Sequence, residues 1–324
     1  MPYQNRRNFN TTKGYELVRI LRGGQNIAPT NHIEIYKTNL YTGIISLKAQ
    51  VVQRFSVTSG FWKDMQISGK RVHVMTIYRD GQGRVVIPGS SIKGMLRHYV
   101  RVLSERTDGD DDSGMPEVIF GSTQTPRLKS FRSRVRSTDV IYEGNLKGLK
   151  IFQQYAGYPR DNFYKVYSLT KKEEKGSRHE FLVEIIPKGS ILEFVLSVEG
   201  LKGIELGVLF LAMGVHPNYR FCLKFGRGKN IGMGGLLMEV TRFERDKGLL
   251  GKEVYEGAKL DELIKKAASE YLNFVRNRAG VESNLKVLME DSQKIVKGAS
   301  SNGSVSYTHL RAHETSLHLV CRLL

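Results

Sequence analysis

Cysteine is scarce in this chain. Only Cys222 and Cys321 occur among 324 residues, far apart and without metal-ligand spacing. Neither a disulfide framework nor a thiolate metal centre is expected. Long apolar runs are also missing. The longest, GVLFLAMGV at 207–215, falls short of the roughly 20 residues needed to cross a bilayer. The opening MPYQNRRNFNTTKGYE has no apolar core of the kind that directs secretion. Together these absences predict a reduced, cytoplasmic protein. The third shortage is of acid: 32 Asp and Glu stand against 50 Lys and Arg, a formal net charge of +18. That imbalance says little about fold, but it predicts a polyanionic partner, with nucleic acid leading over an anionic membrane. The plain alternative is a basic, soluble protein with no such partner.

The patterns that are present divide the chain. Residues 1–41 are polar and irregular, with Arg6 and Arg7, and read as an N-terminal extension. From Thr42 the pattern is β, with Ile45, Leu47, Ala49 and Val51 alternating with Ser46, Lys48 and Gln50. RVHVMTIY at 71–78 is a second β-branched run, and the acidic SERTDGDDDSGMP at 104–116 reads as an exposed loop. FLVEIIPKGSILEFVLSVEG at 181–200 reads as two strands joined by a PKGS turn, and IELGVLFLAMGV at 204–215 as a short buried helix. FGRGKNIGMGGLLMEVTRF at 225–243 is a glycine-rich loop running into a strand. Leu260, Leu263, Ile264, Ala267, Ala268, Tyr271 and Leu272 recur at helical spacing, and a second helix is expected over 282–297. The expectation is an α+β protein with a ferredoxin-like (RRM-like) core over 42–250, insertions at about 104–180 and a helical tail over 251–299. Residues 300–324 stand apart. SVSYTHLRAHETSLHLVCRLL resembles translated sequencing-adapter read-through, and on that reading the natural end is either missing or near Gly298. His309 and His313, four apart, would suit a helical metal site; with His318 and Cys321 they are discounted on that ground.

The most informative stretch is VVIPGSSIKGMLRHYV, residues 85–100. From Ile92 the apolar positions are Ile92, Met95, Leu96, Tyr99, Val100 and Leu103, one face of an amphipathic helix. Lys93, Arg97 and Arg101 fall on another face. Ser90 or Ser91 is a natural N-cap, and small residues in front would leave first-turn N–H groups open to a phosphate. A capped helix with a solvated basic face accounts for the same pattern. The order G-x-x-x-x-G-K-[ST] of a nucleotide P-loop is absent. LKSFRSRVR at 128–136 sets Lys129, Arg132, Arg134 and Arg136 around Phe131. YAGYPRDNFYKVY at 155–167 interleaves Tyr155, Tyr158, Phe163, Tyr164 and Tyr167 with Arg160 and Lys165. Such mixtures suit RNA, through stacking and neutralisation, though tyrosines packed on their own domain fit as well.

IPGSSIKGMLR resembles the signature of the RAMP superfamily, the repeat-associated subunits of type III CRISPR effector complexes. Other segments follow in order. GIISLKAQVVQRFSVTSG (43–60) resembles that family's first strand, and VIFGS (118–122) its FGS element. SRVRSTDV (133–140) resembles its Arg-x-x-x-x-Asp strand, here Arg134 and Asp139. FLVEIIPKGSILEF (181–194) carries Glu184, Pro187 and Gly189 at matching positions, and FGRGKNIGMGGLLMEV resembles the glycine-rich loop near the family's end. The similarity covers roughly residues 42–243. It implies a subunit that stacks with others along a CRISPR guide RNA, bound to complementary target RNA. It implies that Gly89, Ser90, Ser91, Lys93 and Arg97 hold guide phosphates, joined by Gly226, Arg227, Gly228, Lys229 and Asn230, while Arg132 and Arg134 belong to the basic segment. The family's middle segment is a thumb that wedges into the guide–target duplex.

Target-cutting members carry an aspartate in a loop before the IPGSS turn, in the pattern V-I-D-x-P-[IV]-x-R-[DE]. Here the segment is VHVMTIYRD, and Val74 stands at the aspartate position. A valine can neither hold a metal nor position an attacking group. Asp64 and Asp80 are the carboxylates that could substitute, and His73 lies beside the gap. The resemblance therefore implies a non-cutting subunit without cofactor. Mg²⁺ would be required only if the chain is instead a ribonuclease RAMP subunit that cuts target RNA; a second alternative is a relative of the repeat-processing endonucleases, which lack the IPGSSIKG element in this form. A generic ferredoxin-like RNA-binding protein is a further alternative.

Overall fold

The computed structural model describes residues 14–25, 27–30, 34–37, 39–67, 70–107, 114–123, 130, 132–152, 162–172 and 180–301. Its centre is an antiparallel sheet whose four longest-range partners explain the rest. These are β3 (Tyr41–Val51), β8 (Val135–Ser137), β13 (Ile191–Leu201) and β15 (Gly235–Asp246). The strand order is β14-β15-β3-β13-β8, where β14 is Leu223–Lys224, and β16 (Lys252–Tyr255) pairs along β15. Helix α1 (Gly89–Leu103) comes between β3 and β8, and α3 (Gly203–Ala212) between β13 and β15. The path is therefore β-α-β-β-α-β, with the fourth strand beside the first and the second at the edge.

Period-two alternation decides which face is covered. Ile45, Leu47, Ala49 and Val51 of β3 and Leu192, Phe194, Leu196 and Val198 of β13 are buried, whereas Lys48 and Glu193 pair at 3.2 Å on the open face. The predicted apolar stripe of α1 is buried in full. Helix α3 is apolar all round because it lies between the sheet, α1 and α4 (Gly257–Phe274). Gly207 makes the last approach possible: a Cβ there would run into the Ala267 carbonyl of α4. Helix α5 (Arg278–Ser301) is stitched to the core as well: Asn284 Nδ2 donates to the carbonyls of Arg19 and Val102, at 3.1 and 2.8 Å. The helical tail is thus part of the main core, with Leu263, Tyr271, Val281, Leu285 and Leu288 in it.

A second sheet, order β10-β12-β5-β4, is built from insertions. The hairpin β4 (Thr58–Ile67) and β5 (Lys70–Ile77) precedes α1; β10 (Lys147–Phe152) and β12 (Glu180–Ile185) precede β13. Strands β5 and β12 run parallel, and Met75, Ile151, Val183 and Ile185 pack with Met233 of the glycine-rich loop.

Three expectations are corrected. Residues 15–24 are not an irregular extension: β1 (Tyr15–Arg19) pairs with β11 (Phe163–Tyr167), and β2 (Leu21–Gly24) runs parallel to β7 (Glu105–Thr107), burying Val18 and Leu21. The acidic segment opens with β7 and closes with α2 (Met115–Phe120); only 108–113 lie outside the described residues. The two strands joined by the PKGS turn form as expected, and they belong to different sheets. The segment aligned with the cutting loop is strand β5, preceding β6 (Val85–Ile87), which pairs with β9 (Val140–Tyr142). Residues 302–324 lie outside the described residues, as do Lys129, Phe131, Tyr155, Tyr158 and Arg160.

Candidate nucleic-acid interface

The start of α1 is less open than its sequence suggests. Pro88, not a serine, occupies the N-cap position and makes no side-chain cap. The Gly89 N–H donates to Asp139 Oδ1 at 2.7 Å, and Ser91 and Ile92 donate to the Pro88 carbonyl. The carboxylate of Asp139 already answers the positive end of the helix. Gly89 is glycine for packing: a Cβ would enter the Ser137 carbonyl. Ser90 remains exposed, and Ser91 and Lys93 are half-buried. The Lys93 ammonium is lowered from its ordinary value by burial and by Arg97 and Arg136. Arg97 and Arg101 both reach the same oxygen of buried Glu117, each at 3.0 Å.

The basic segment before β9 divides in the same way. Arg134 is 2% exposed and fully committed: two bonds to Glu205 at 2.7 and 2.9 Å, and others to the Val118 and Gly200 carbonyls. It cannot meet RNA, and its assignment as an RNA contact is withdrawn. Breaking such a pair typically costs about 3–5 kcal/mol, because one charge is left buried alone. Arg132 and Arg136 lie at the surface and share Glu199, at 3.0 and 2.7 Å. Glu184 performs a related job in the second sheet, taking Arg79 in a two-pronged pair at 2.7 and 3.0 Å and the Ile77 N–H at 2.9 Å.

The glycine-rich loop is a clasp. Gly226, Gly228, Gly232 and Gly234 all have φ between 74° and 86°, a region that side chains disfavour. Those turns send N–H groups inward: Arg227 to the Ser56 carbonyl, Gly234 to Arg54, Phe225 to Gly234, and Met233 to Gly228. The loop therefore grips the chain leaving β3. Its side chains face several rings, with the Arg227 guanidinium 5.2 Å from the Phe181 ring and Lys229 Nζ 5.2 Å from Tyr167. Asn230 is buried. Beneath the loop, Lys224 is buried and donates to Gln53 Oε1 and the Met233 carbonyl, both at 2.7 Å. Burial pushes its pKa down to about 7. On the adjoining helix, burial pushes His98 down to about 4. Tyr164 and Tyr167 of β11 are half-buried, so these two pack at least partly on their own domain.

The most strongly basic feature is one that sequence reasoning missed. A cleft of about 840 Å³ opens between the end of β3, the Pro187–Gly189 turn, Gly232 and α5, lined by Arg54, Lys147, Lys172, Lys188 and Lys294. Among the described residues no carboxylate lines it, and none of the five cations has a carboxylate partner. Like charges gathered without counter-charges attract a polyanion. Strand β9 links this cleft to α1: the Tyr142 hydroxyl meets Ser190 Oγ at 3.1 Å beside the turn, and Asp139, just before the strand, holds Gly89.

The candidate cutting residues are each engaged elsewhere. Asp64 lies on β4 opposite His73 of β5 and pairs with both His73 and Arg71; the Arg71 hydrogen bond holds its carboxyl below the ordinary range. Asp80 closes a turn, accepting the N–H groups of Gln82 and Arg84 and the Arg84 side chain. Val74, 3% exposed, is packed in mid-strand opposite Lys63. Among the described residues no group of three or more His, Cys, Asp or Glu is placed to hold a metal.

A family model described as RAMPs, the RAMP superfamily, matches residues 23–236. That span begins within β2 and ends within β15, so it includes the inserted sheet, the cleft turn and the glycine-rich loop. No curated protein matches the chain.

Proposed function

The chain belongs to the RAMP superfamily, and from that premise we propose that it is a guide-RNA-binding structural subunit of a type III CRISPR effector complex that does not cut RNA itself. Members of this superfamily work in CRISPR complexes with RNA and other subunits. The observation that carries the reading is the cleft: five cations without carboxylate partners among the described residues, beside the glycine-rich clasp. Guide phosphates lie along it and continue past Lys93 and the exposed Ser90. Arg227 and Lys229 stand at the loop, and Arg97 and Arg132 contribute once an anion competes with Glu117 and Glu199. The β-α-β-β-α-β path with its 4-1-3-2 strand order supports a ferredoxin-like core. No described helix is long and apolar enough to cross a membrane.

The non-cutting half of the reading is supported by Val74, an apolar residue packed where the cutting members place a carboxylate. The Asp64–His73 pair favours the one competing reading, an endoribonuclease, because a histidine oriented by a carboxylate can move protons. One experiment separates them. The guide-loaded complex is incubated with end-labelled complementary RNA and Mg²⁺. The proposal expects target retained and intact opposite this subunit. A cut there that disappears in Asp64→Ala would make the subunit a ribonuclease.

A further inference from the structure

We infer that the exposed face of Trp62 is a stacking site for an unpaired nucleobase of the bound strand, an inference that rests on the RNA-binding reading above. Trp62 is the chain's one tryptophan. It lies on β4, the edge strand of the inserted sheet, and is 50% exposed, next to Phe61 at 74%. Large apolar surface on a sheet edge invites aggregation unless something uses it.

Trp62 is held in place. Its register partner on β5, Met75, is buried in the cluster that contains Met233 of the glycine-rich loop. Its ring meets Phe181 of β12 edge-on, with centroids 5.1 Å apart and planes at 70°. Phe181, packed on the same cluster, also meets the Arg227 guanidinium, 5.2 Å from its centroid. Trp62, Phe181 and Arg227 thus form a rigid series from the sheet edge to the loop. An aromatic face so held gives up little side-chain freedom on binding.

Charge selects the occupant. Lys63 and Arg79 line the same pocket as Trp62, and its one carboxylate among the described residues, Glu184, is taken by Arg79 in two bonds and feels the Lys63 charge as well. The nearest acid along β4, Asp64, is occupied by Arg71 and His73. An apolar ring in a pocket with two cations and one carboxylate that is already paired suits a base flanked by phosphates better than an apolar protein side chain, whose own neighbours need not be anionic. Stacking also requires the base to be unpaired, since a base inside a duplex has both faces covered.

The test uses the full-length chain and its single tryptophan as the probe. Fluorescently labelled oligoadenylate reports total binding by anisotropy, while Trp62 emission reports stacking. The expected result is quenching that tracks anisotropy, and none when inorganic polyphosphate binds. Trp62→Ala is expected to weaken oligoadenylate binding between about 5-fold and about 150-fold without changing the salt slope, and Trp62→Phe to retain most of the affinity. Melting curves confirm that both variants fold. Binding by anisotropy with unchanged Trp62 emission would overturn this inference alone, as would equal quenching by polyphosphate or by duplex RNA. Concentration-dependent shielding of Trp62 without RNA would identify a self-association face instead and also overturn it. Failure of RNA to bind at all would overturn the RNA reading, and this inference with it.

Discussion

Removing cations from the cleft should change the salt dependence of RNA binding by an amount that can be counted. Each phosphate neutralised on a single strand contributes about −0.7 to the slope of log affinity against log salt. Arg54, Lys147, Lys172, Lys188 and Lys294 line the cleft, so the site alone predicts a slope of roughly −3.5. Between 50 and 200 mM salt, affinity should then fall about 100-fold. Lys188→Gln with Lys294→Gln should reduce the slope to about −2.1 and the loss to about 20-fold. Lys93→Ala with Arg97→Ala should flatten it by only about 0.7, because Arg97 is already held by Glu117 while Lys93 has no carboxylate partner. Anisotropy of a labelled single strand, titrated at several salt concentrations, measures all three. A slope unchanged by the cleft variant, or flattened more by the α1 variant, would refute the placement of the backbone.

Three further outcomes are expected. Arg134→Ala should lower stability by about 3–5 kcal/mol in denaturant unfolding, through the uncompensated Glu205, and a change below about 1 kcal/mol would contradict the buried pair. His98, depressed on folding to about 4, stays neutral in the folded chain while the unfolded chain protonates. The unfolded state therefore binds more protons below the ordinary histidine value. Stability should fall by about 2–3 kcal/mol as pH drops from about 6.5 to 4, and His98→Asn should flatten that part of the profile. Val74→Asp should destabilise the inserted sheet by about 1–3 kcal/mol, softened by Lys63 directly opposite, and should not restore cutting; a metal-dependent cut in that variant would reverse our view of β5.

Periodicity made the core legible. The stripe Ile92, Met95, Leu96, Tyr99, Val100 and Leu103, the alternation along β3 and the apolar face of α4 all lie where their spacing put them. Charge was harder to read. A cation in sequence carries no mark of its partner: Glu205 lies 71 residues from Arg134 and 3 from Lys202, and only the fold brings it to the former. The small residues at the start of α1 looked open because Asp139 arrives from 50 residues away. The cleft was invisible for the same reason. Its cations come from the segment after β3, β10, the β12–β13 turn, the segment after β11 and α5, and no local window contains more than one of them. Trp62 carried a local signal, two adjacent aromatics in a polar strand, that could have been taken as a surface feature.

The open face of the central sheet explains why the RNA site should lie at the strand ends. In an RRM-like protein that face is the stacking platform, supplied by aromatics from the inner strands. Here β3 and β13 present Ile44, Lys48, Ile191 and Glu193, with Glu199 beside them, and β15 adds Glu239 and Glu244. No aromatic side chain stands among these positions; Glu193, Glu199 and Glu244 are engaged by Lys48, Arg132, Arg136 and Arg242, and Glu239 adds an exposed negative charge. A phosphate backbone crossing that face would meet neutralised pairs. At the other end of β3, the clasp of Gly226–Gly234 turns the chain, the cations of the cleft have no carboxylate partner among the described residues, and the inserted sheet sets Trp62 and Arg227 both against Phe181. On the proposed RNA-binding reading, the insertions would move both halves of recognition, neutralisation and stacking, from the sheet surface to its edge. On this reading, Lys48→Ala or Glu193→Ala on the open face should leave RNA affinity within about two-fold of the unmodified chain, since an exposed pair contributes at most about 1 kcal/mol and meets no phosphate. A ten-fold loss in either variant, measured by the same anisotropy titration, would return the strand to the sheet.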